Sequence, residues 1–174
     1  MKEEPPDGYK GIWRTWYSNG QIKYEHKNNG ERTWWRRNGS KRSEIVSVSP
    51  YHYIQYFENG RKQLEEKEGR LYIEWYKNGQ KKTEIQQDEK DGHKYTTSLG
   101  WHSNGQKRTE SHWVDGKKHG LFIQWDESGS IISEKWFFKG KQVSKEEYET
   151  RVSESGMQHK SLKENYSTRN DQFQ

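Results

Sequence analysis

The chain is predicted to be all-β: an elongated, single-layer antiparallel sheet of stacked hairpins, with a short C-terminal helix. Three observations predict it. First, one ten-residue phrase recurs six times: WYSNGQIKYE at 16–25, WRRNGSKRSE at 35–44, YFENGRKQLE at 56–65, WYKNGQKKTE at 75–84, WHSNGQKRTE at 101–110 and WDESGSIISE at 125–134. Second, each phrase centres on a turn pair, Asn-Gly five times and Ser128-Gly129 once. Asn-Gly between β-prone runs is a strong hairpin signal. Third, the chain has no alanine but nine Trp and eleven Tyr, a composition that favours strands over long helices.

The structural turn glycines are Gly20, Gly39, Gly60, Gly79, Gly105 and Gly129. A two-residue type I′ turn needs φ > 0 at both central residues, which Asn-Gly accepts. A second set of turns links the hairpins at Asn29-Gly30, Glu68-Gly69, Asp91-Gly92, Asp115-Gly116 and Lys139-Gly140. After the second phrase, Ser47-Val48-Ser49-Pro50 replaces the glycine turn, and an irregular link or an edge is expected there. The two longest gaps between turn glycines hold extra residues around 86–95 and 112–120, expected as longer loops or longer strands.

A two-residue turn also sets the register. The aromatics four before each glycine (Trp16, Trp35, Tyr56, Trp75, Trp101, Trp125) then face the residues three after it: Lys23, Arg42, Gln63, Lys82, Arg108 and Ile132. Most of these pairs set a cation across from a ring. The glutamates five after each glycine face Arg14, Thr33, Ile54, Ile73, Leu99 and Ile123 on the same side. An extra residue in the turn would move this register by one.

Composition narrows the function classes. Only 26% of residues are hydrophobic and 33% are charged, so any core is thin and aromatic. With no cysteine there are no disulfides and no thiolate metal sites. No apolar run approaches the ~18 residues of a membrane span. The start, MKEEPPDGYK, lacks the apolar region of a signal peptide, so a soluble, intracellular protein is expected. The net charge of +5 belongs to the repeat region, because six basic and six acidic residues cancel from Lys141 onward. That excess is modest for a nucleic-acid binder.

Residues 1–8 read as a flexible N-terminus, 9–140 as a six-repeat array, 141–152 as a short helical segment and 153–174 as a disordered tail. The helix is expected from Ser144-Lys145-Glu146-Glu147, which has the S-x-x-E form of a capping box, and to end near Val152.

These phrases resemble MORN repeats of the variant form, in which W-Y-x-N-G-Q-x-x-x-E is followed by D-G-K-x-H-G. Asp115-Gly116-Lys117-Lys118-His119-Gly120 is the best copy of the second piece, and Leu121-Phe122-Ile123-Gln124-Trp125 matches the strand after it. The resemblance spans about residues 9–140. It implies a sheet of stacked hairpins with no cofactor and no chemistry. Members of the family have been linked to protein scaffolding and to acidic phospholipid. Bacterial members of the variant type are often called antitoxin-like, and large DNA viruses carry such arrays too.

Function therefore reduces to surfaces. The aromatic column serves as the core, as a partner-binding face, or as both with each ring half-buried. A basic ridge past the turns, Lys23, Lys41, Arg42, Arg61, Lys62, Lys81, Lys82, Lys107 and Arg108, is either a solvated rim or a site for anionic lipid or an acidic protein. Six equivalent glutamates suit a structural ladder, because acid–base catalysis needs environments that differ. No catalytic, cofactor or metal residue is assigned. The expectation is a non-enzymatic scaffold that binds another protein through the aromatic face. The alternatives are a peripheral binder of anionic lipid and an antitoxin-like neutraliser. A homodimer through the array ends is a further expectation.

Overall fold

The computed structural model describes residues 5–155. The expectations for residues 1–4 and 156–174 fall outside them. Fourteen strands run in chain order: β1 (Trp13–Trp16), β2 (Ile22–His26), β3 (Arg32–Trp35), β4 (Lys41–Val48), β5 (Tyr51–Tyr56), β6 (Lys62–Lys67) and β7 (Leu71–Trp75) form the first half. The second half is β8 (Lys81–Lys90), β9 (His93–Trp101), β10 (Lys107–Val114), β11 (Lys117–Lys118), β12 (Gly120–Trp125), β13 (Ile131–Phe138) and β14 (Lys141–Val143), followed by the helix α1 (Lys145–Ser155). All fourteen belong to one open antiparallel sheet whose spatial order follows the chain; only the two-residue β11 lies off this path, paired with β10. The fold class read from the sequence is the one observed.

The turns differ from the sequence expectation in an informative way. At the first phrase Tyr17 N–H donates to Gln21 O (2.8 Å) and Gly20 N–H to Tyr17 O (3.0 Å), closing a loop of three residues rather than two. The same pair of bonds closes the other five phrases. Gly20 has φ 83°, while Asn19 is not left-handed. This is the type I turn with a glycine bulge, the next commonest hairpin closure. True type I′ turns occur instead in the linking set: Glu68, Asp91, Asp115 and Lys139 all have φ near 50° and precede a left-handed glycine.

The extra residue shifts the pairing locally. Each aromatic faces the residue two after the glycine: Trp16↔Ile22, Trp35↔Lys41, Tyr56↔Lys62, Trp75↔Lys81, Trp101↔Lys107 and Trp125↔Ile131. The expected partners Lys23, Arg42, Gln63, Lys82, Arg108 and Ile132 stand at the bulges, where the register shifts. The bulge then absorbs the shift, and the glutamates regain the expected register: Glu25↔Arg14, Glu44↔Thr33, Glu65↔Ile54, Glu84↔Ile73, Glu110↔Leu99 and Glu134↔Ile123.

Two other expectations resolve here. The Ser47–Pro50 link is not an edge, since Val48 pairs with Tyr51, but it is irregular as expected, with a register shift between Ile45 and Ser47 and a cis Ser49-Pro50 peptide. The extra residues before the fifth phrase lengthen strands, giving the ten-residue β8 and nine-residue β9.

The core is thin, as a single layer requires. A cluster forms where α1 docks: Tyr148 and Val152 bury against Phe138, with Trp136 and Val143 packed beside them. The helix starts as expected, with Ser144 Oγ accepting from Glu147 N–H, and runs to Ser155 rather than Val152. Burial pushes the Tyr148 phenol up to about 12.

Candidate functional site: the aromatic face and its lysine–glutamate ladder

Alternation along each strand puts Trp16, Trp35, Tyr56, Trp75, Trp101 and Trp125 on one face with the repeated glutamates. The rings other than Trp16 are half-buried; Trp16, in the edge hairpin, is 53% exposed. Helix α1 docks on Phe138 and Trp136, at the last hairpin, so it covers the end of this face and not the column itself.

A lysine sits between successive rings. Lys41 Nζ lies over the Tyr56 ring (5.5 Å to its centre), Lys62 over Trp75 (5.8 Å), Lys81 over Trp101 (5.7 Å) and Lys107 over Trp125 (5.5 Å). Each cation thus covers the aromatic of the following repeat. Each also pairs with the glutamate of its own hairpin: Lys41–Glu44, Lys62–Glu65, Lys81–Glu84 and Lys107–Glu110, all at 2.6–2.8 Å. One lysine therefore joins two repeats. Exposed cation–π contacts contribute about 0.5–1 kcal/mol each.

Three of these carboxylates, Glu44, Glu65 and Glu110, are held ionised by their donors. Burial pushes the Glu65 carboxyl up, but hydrogen bonds from Lys62, His52 and Lys67 prevail and hold it at about 2. Burial likewise raises Glu44 and Glu110. Lys41 and the Tyr56 hydroxyl pull Glu44 below the usual range, and His112 and Lys107 do the same for Glu110. Such permanently charged carboxylates form a structural ladder, with no proton to give or take near neutral pH.

The basic ridge does not form as one surface. Lys41, Lys62, Lys81 and Lys107 belong to the aromatic face. Lys82 reaches Glu74 on the opposite face (3.3 Å), and the Arg108 guanidinium lies beside Gly100 on that same side. Lys23 and Arg42 line a cleft there with Tyr17, Trp34 and Tyr53. Arg61 lies along the turns, donating to Lys77 O and Asn78 O. The bulge splits the ridge, because adjacent basic residues at each turn leave on different sides.

Two ladders along the turn edge were missed from the sequence. Asn19, Asn59, Asn78 and Asn104 each donate through Nδ2 to a carbonyl of the next turn (Arg37, Lys77, Ser103, Glu127; 2.8–3.3 Å). Their Oδ1 atoms accept from the backbone N–H two residues on. One position earlier than the turn pair's own neighbour, Tyr17, Tyr76 and His102 bond the carbonyl of the next repeat's aromatic (Trp35, Trp101, Trp125). The recurrence of polar residues at both positions was the available signal.

Among the described residues no helix is long and apolar enough to cross a membrane. Comparison with curated proteins finds no match, and comparison with solved structures finds none. The family model described as MORN repeat variant matches residues 9–27 and 118–139. These segments hold the first and last phrases, and the four phrases between them close with the same turn bonds. Residues 9–27 and 118–139 thus match the MORN repeat variant, and their hairpins stack with the four between them into one β-hairpin array.

Proposed function

We propose that this chain is a non-catalytic interaction scaffold whose partner lies on the aromatic face. The observation that carries the reading is the half-buried column Trp35, Tyr56, Trp75, Trp101 and Trp125, on a sheet face that α1 covers only at its end. Interface hot spots are enriched in Trp and Tyr held in packed surroundings, and this column supplies them at a regular spacing. A fitting partner is an elongated element with an apolar stripe and flanking charges, such as an amphipathic helix.

Anionic lipid is the second chemistry to test. It is less favoured because four of the nine ridge residues are tied to glutamates on the aromatic face. An antitoxin-like role would be one case of the same protein-binding mode.

The test is a pull-down with the full chain and two double variants of matched composition. Trp75→Ala with Trp101→Ala strips the aromatic face; Trp34→Ala with Trp113→Ala strips the reverse face. Loss of a bound protein with the first pair alone, at unchanged circular dichroism, supports the proposal. Equal retention by both overturns it. Pelleting with anionic but not neutral vesicles, fading with salt, would favour the lipid reading instead.

A further inference from the structure

The two ends of the sheet are unlike, and they match each other. At one end, among the described strands, β1 pairs only with β2, and its outer edge faces no described strand. At the other, β13 pairs with β14 only through Trp136, Phe137 and Phe138, so the outer edge of 131–135 faces no described strand. Both free stretches carry exposed apolar residues: Trp16 (53%) at the first, Ile131 (57%) and Ile132 (65%) at the second. Natural sheets usually guard such edges with charge or proline.

The internal boundaries show what each edge is built to meet. The repeated glutamate always faces one position of the next hairpin: Glu25↔Thr33, Glu44↔Ile54, Glu65↔Ile73, Glu84↔Leu99 and Glu110↔Ile123. Glu134 is the last of the series and is exposed, with Trp136 Nε1 as its donor (3.1 Å). The equivalent position in the first hairpin is Arg14, the one cation in a row otherwise of Thr, Ile and Leu; its guanidinium pairs with Glu25 of its own hairpin (2.6 Å) and has further donors for a second carboxylate.

We propose that the chain assembles head to tail, β13 of one copy pairing with β1 of a second copy in the register of the internal boundaries. Glu134 then faces Arg14 of the second copy. Ile131 takes the place that Lys41, Lys62, Lys81 and Lys107 occupy inside the array, and it lies under Trp16 of the second copy. Isoleucine stands at the same position inside the array as Ile22, so an apolar residue there fits a repeat boundary. Pairing like ends instead would set Arg14 near Arg14 or Glu134 near Glu134. A head-to-tail contact does not close on itself at two copies, so assembly is open-ended. The inference is independent of what binds the aromatic face.

Sedimentation velocity of the full chain over a dilution series tests it. The weight-average mass should rise with concentration past two copies. Glu134→Arg, on an exposed side chain that accepts from Trp136 Nε1, should weaken association by about fivefold to tenfold, and Glu134→Gln, which keeps that acceptor, by less. Exchanging Arg14 and Glu25 (R14E with E25R), which keeps that pair within the hairpin, should do the same, and the double swap, this exchange together with Glu134→Arg, should restore it. A monomer throughout, growth that stops at a dimer, or a double swap no stronger than either change alone would overturn the proposal. Circular dichroism of each variant checks that the sheet is intact.

Discussion

The Lys62 ammonium lies 5.8 Å from the ring centre of Trp75, one repeat further along the chain, and 2.7 Å from Glu65 of its own hairpin. The cation therefore reads across a repeat boundary rather than across its own turn. In a nearest-neighbour array, such contacts set the interface energy between units. A double-mutant cycle on Lys62 and Trp75 should give a coupling of about 0.5–1 kcal/mol by urea unfolding. The bulge residue Gln63 should couple to Trp75 by close to nothing.

Glu65 should make the array acid-sensitive. Its folded carboxyl sits at about 2, against ~4.3 for an unperturbed glutamate. A carboxyl held low in the fold adds stability that is complete above the unfolded value. That stability is lost as pH falls from about 4.3 towards about 2. Glu65→Gln should flatten the stability profile in that window, while a carbon-detected NMR titration of wild-type Glu65 should show a midpoint near 2.

The two kinds of turn should respond oppositely to asparagine. Asn78 donates to Ser103 O at 2.8 Å and sits in a right-handed turn position. Asn78→Asp removes that donor and should cost about 1–2 kcal/mol. Glu68 is held at φ 53°, a region asparagine tolerates better than glutamate. Glu68→Asn should therefore stabilise by about 0.5–1 kcal/mol. Thermal unfolding of the two variants checks both signs.

Tyr148 anchors α1 against His119, Trp136 and Phe138, with ring centres 5.1–6.4 Å apart. Tyr148→Ala should cost about 3–5 kcal/mol locally. Helical circular dichroism should fall while the strand signal persists, because the sheet's ladder does not depend on the helix.

Much of this fold was legible because each repeat states the same hairpin six times. The helix cap at Ser144 follows from spacing; the extra residues before the fifth phrase were legible as longer loops or longer strands, and the glutamate pairing holds because the bulge cancels the extra turn residue. The aromatic pairing was not legible, and the reason is local. Asn-Gly is compatible with both a type I′ turn and a type I turn with a glycine bulge. The bulged form is accompanied by a bond within the turn, Gln21 N–H to Asn19 Oδ1, and by bonds such as Asn19 Nδ2 to Arg37 O that exist only once the hairpins stack. That one-residue difference moved the cations over the rings from Lys23, Arg42, Lys82 and Arg108 to Lys41, Lys62, Lys81 and Lys107. It also split the expected basic ridge between faces.

The proposal that the aromatic face is the docking surface is tested most directly by 5-fluorotryptophan NMR of the full chain, titrated with the protein it retains. The nine tryptophans provide their own control. Trp35, Trp75, Trp101 and Trp125 lie on the proposed face, and Trp13, Trp34 and Trp113 on the reverse. The account predicts shifts or broadening in the first group and unchanged resonances in the second. Shifts confined to Trp13, Trp34 and Trp113 would contradict it.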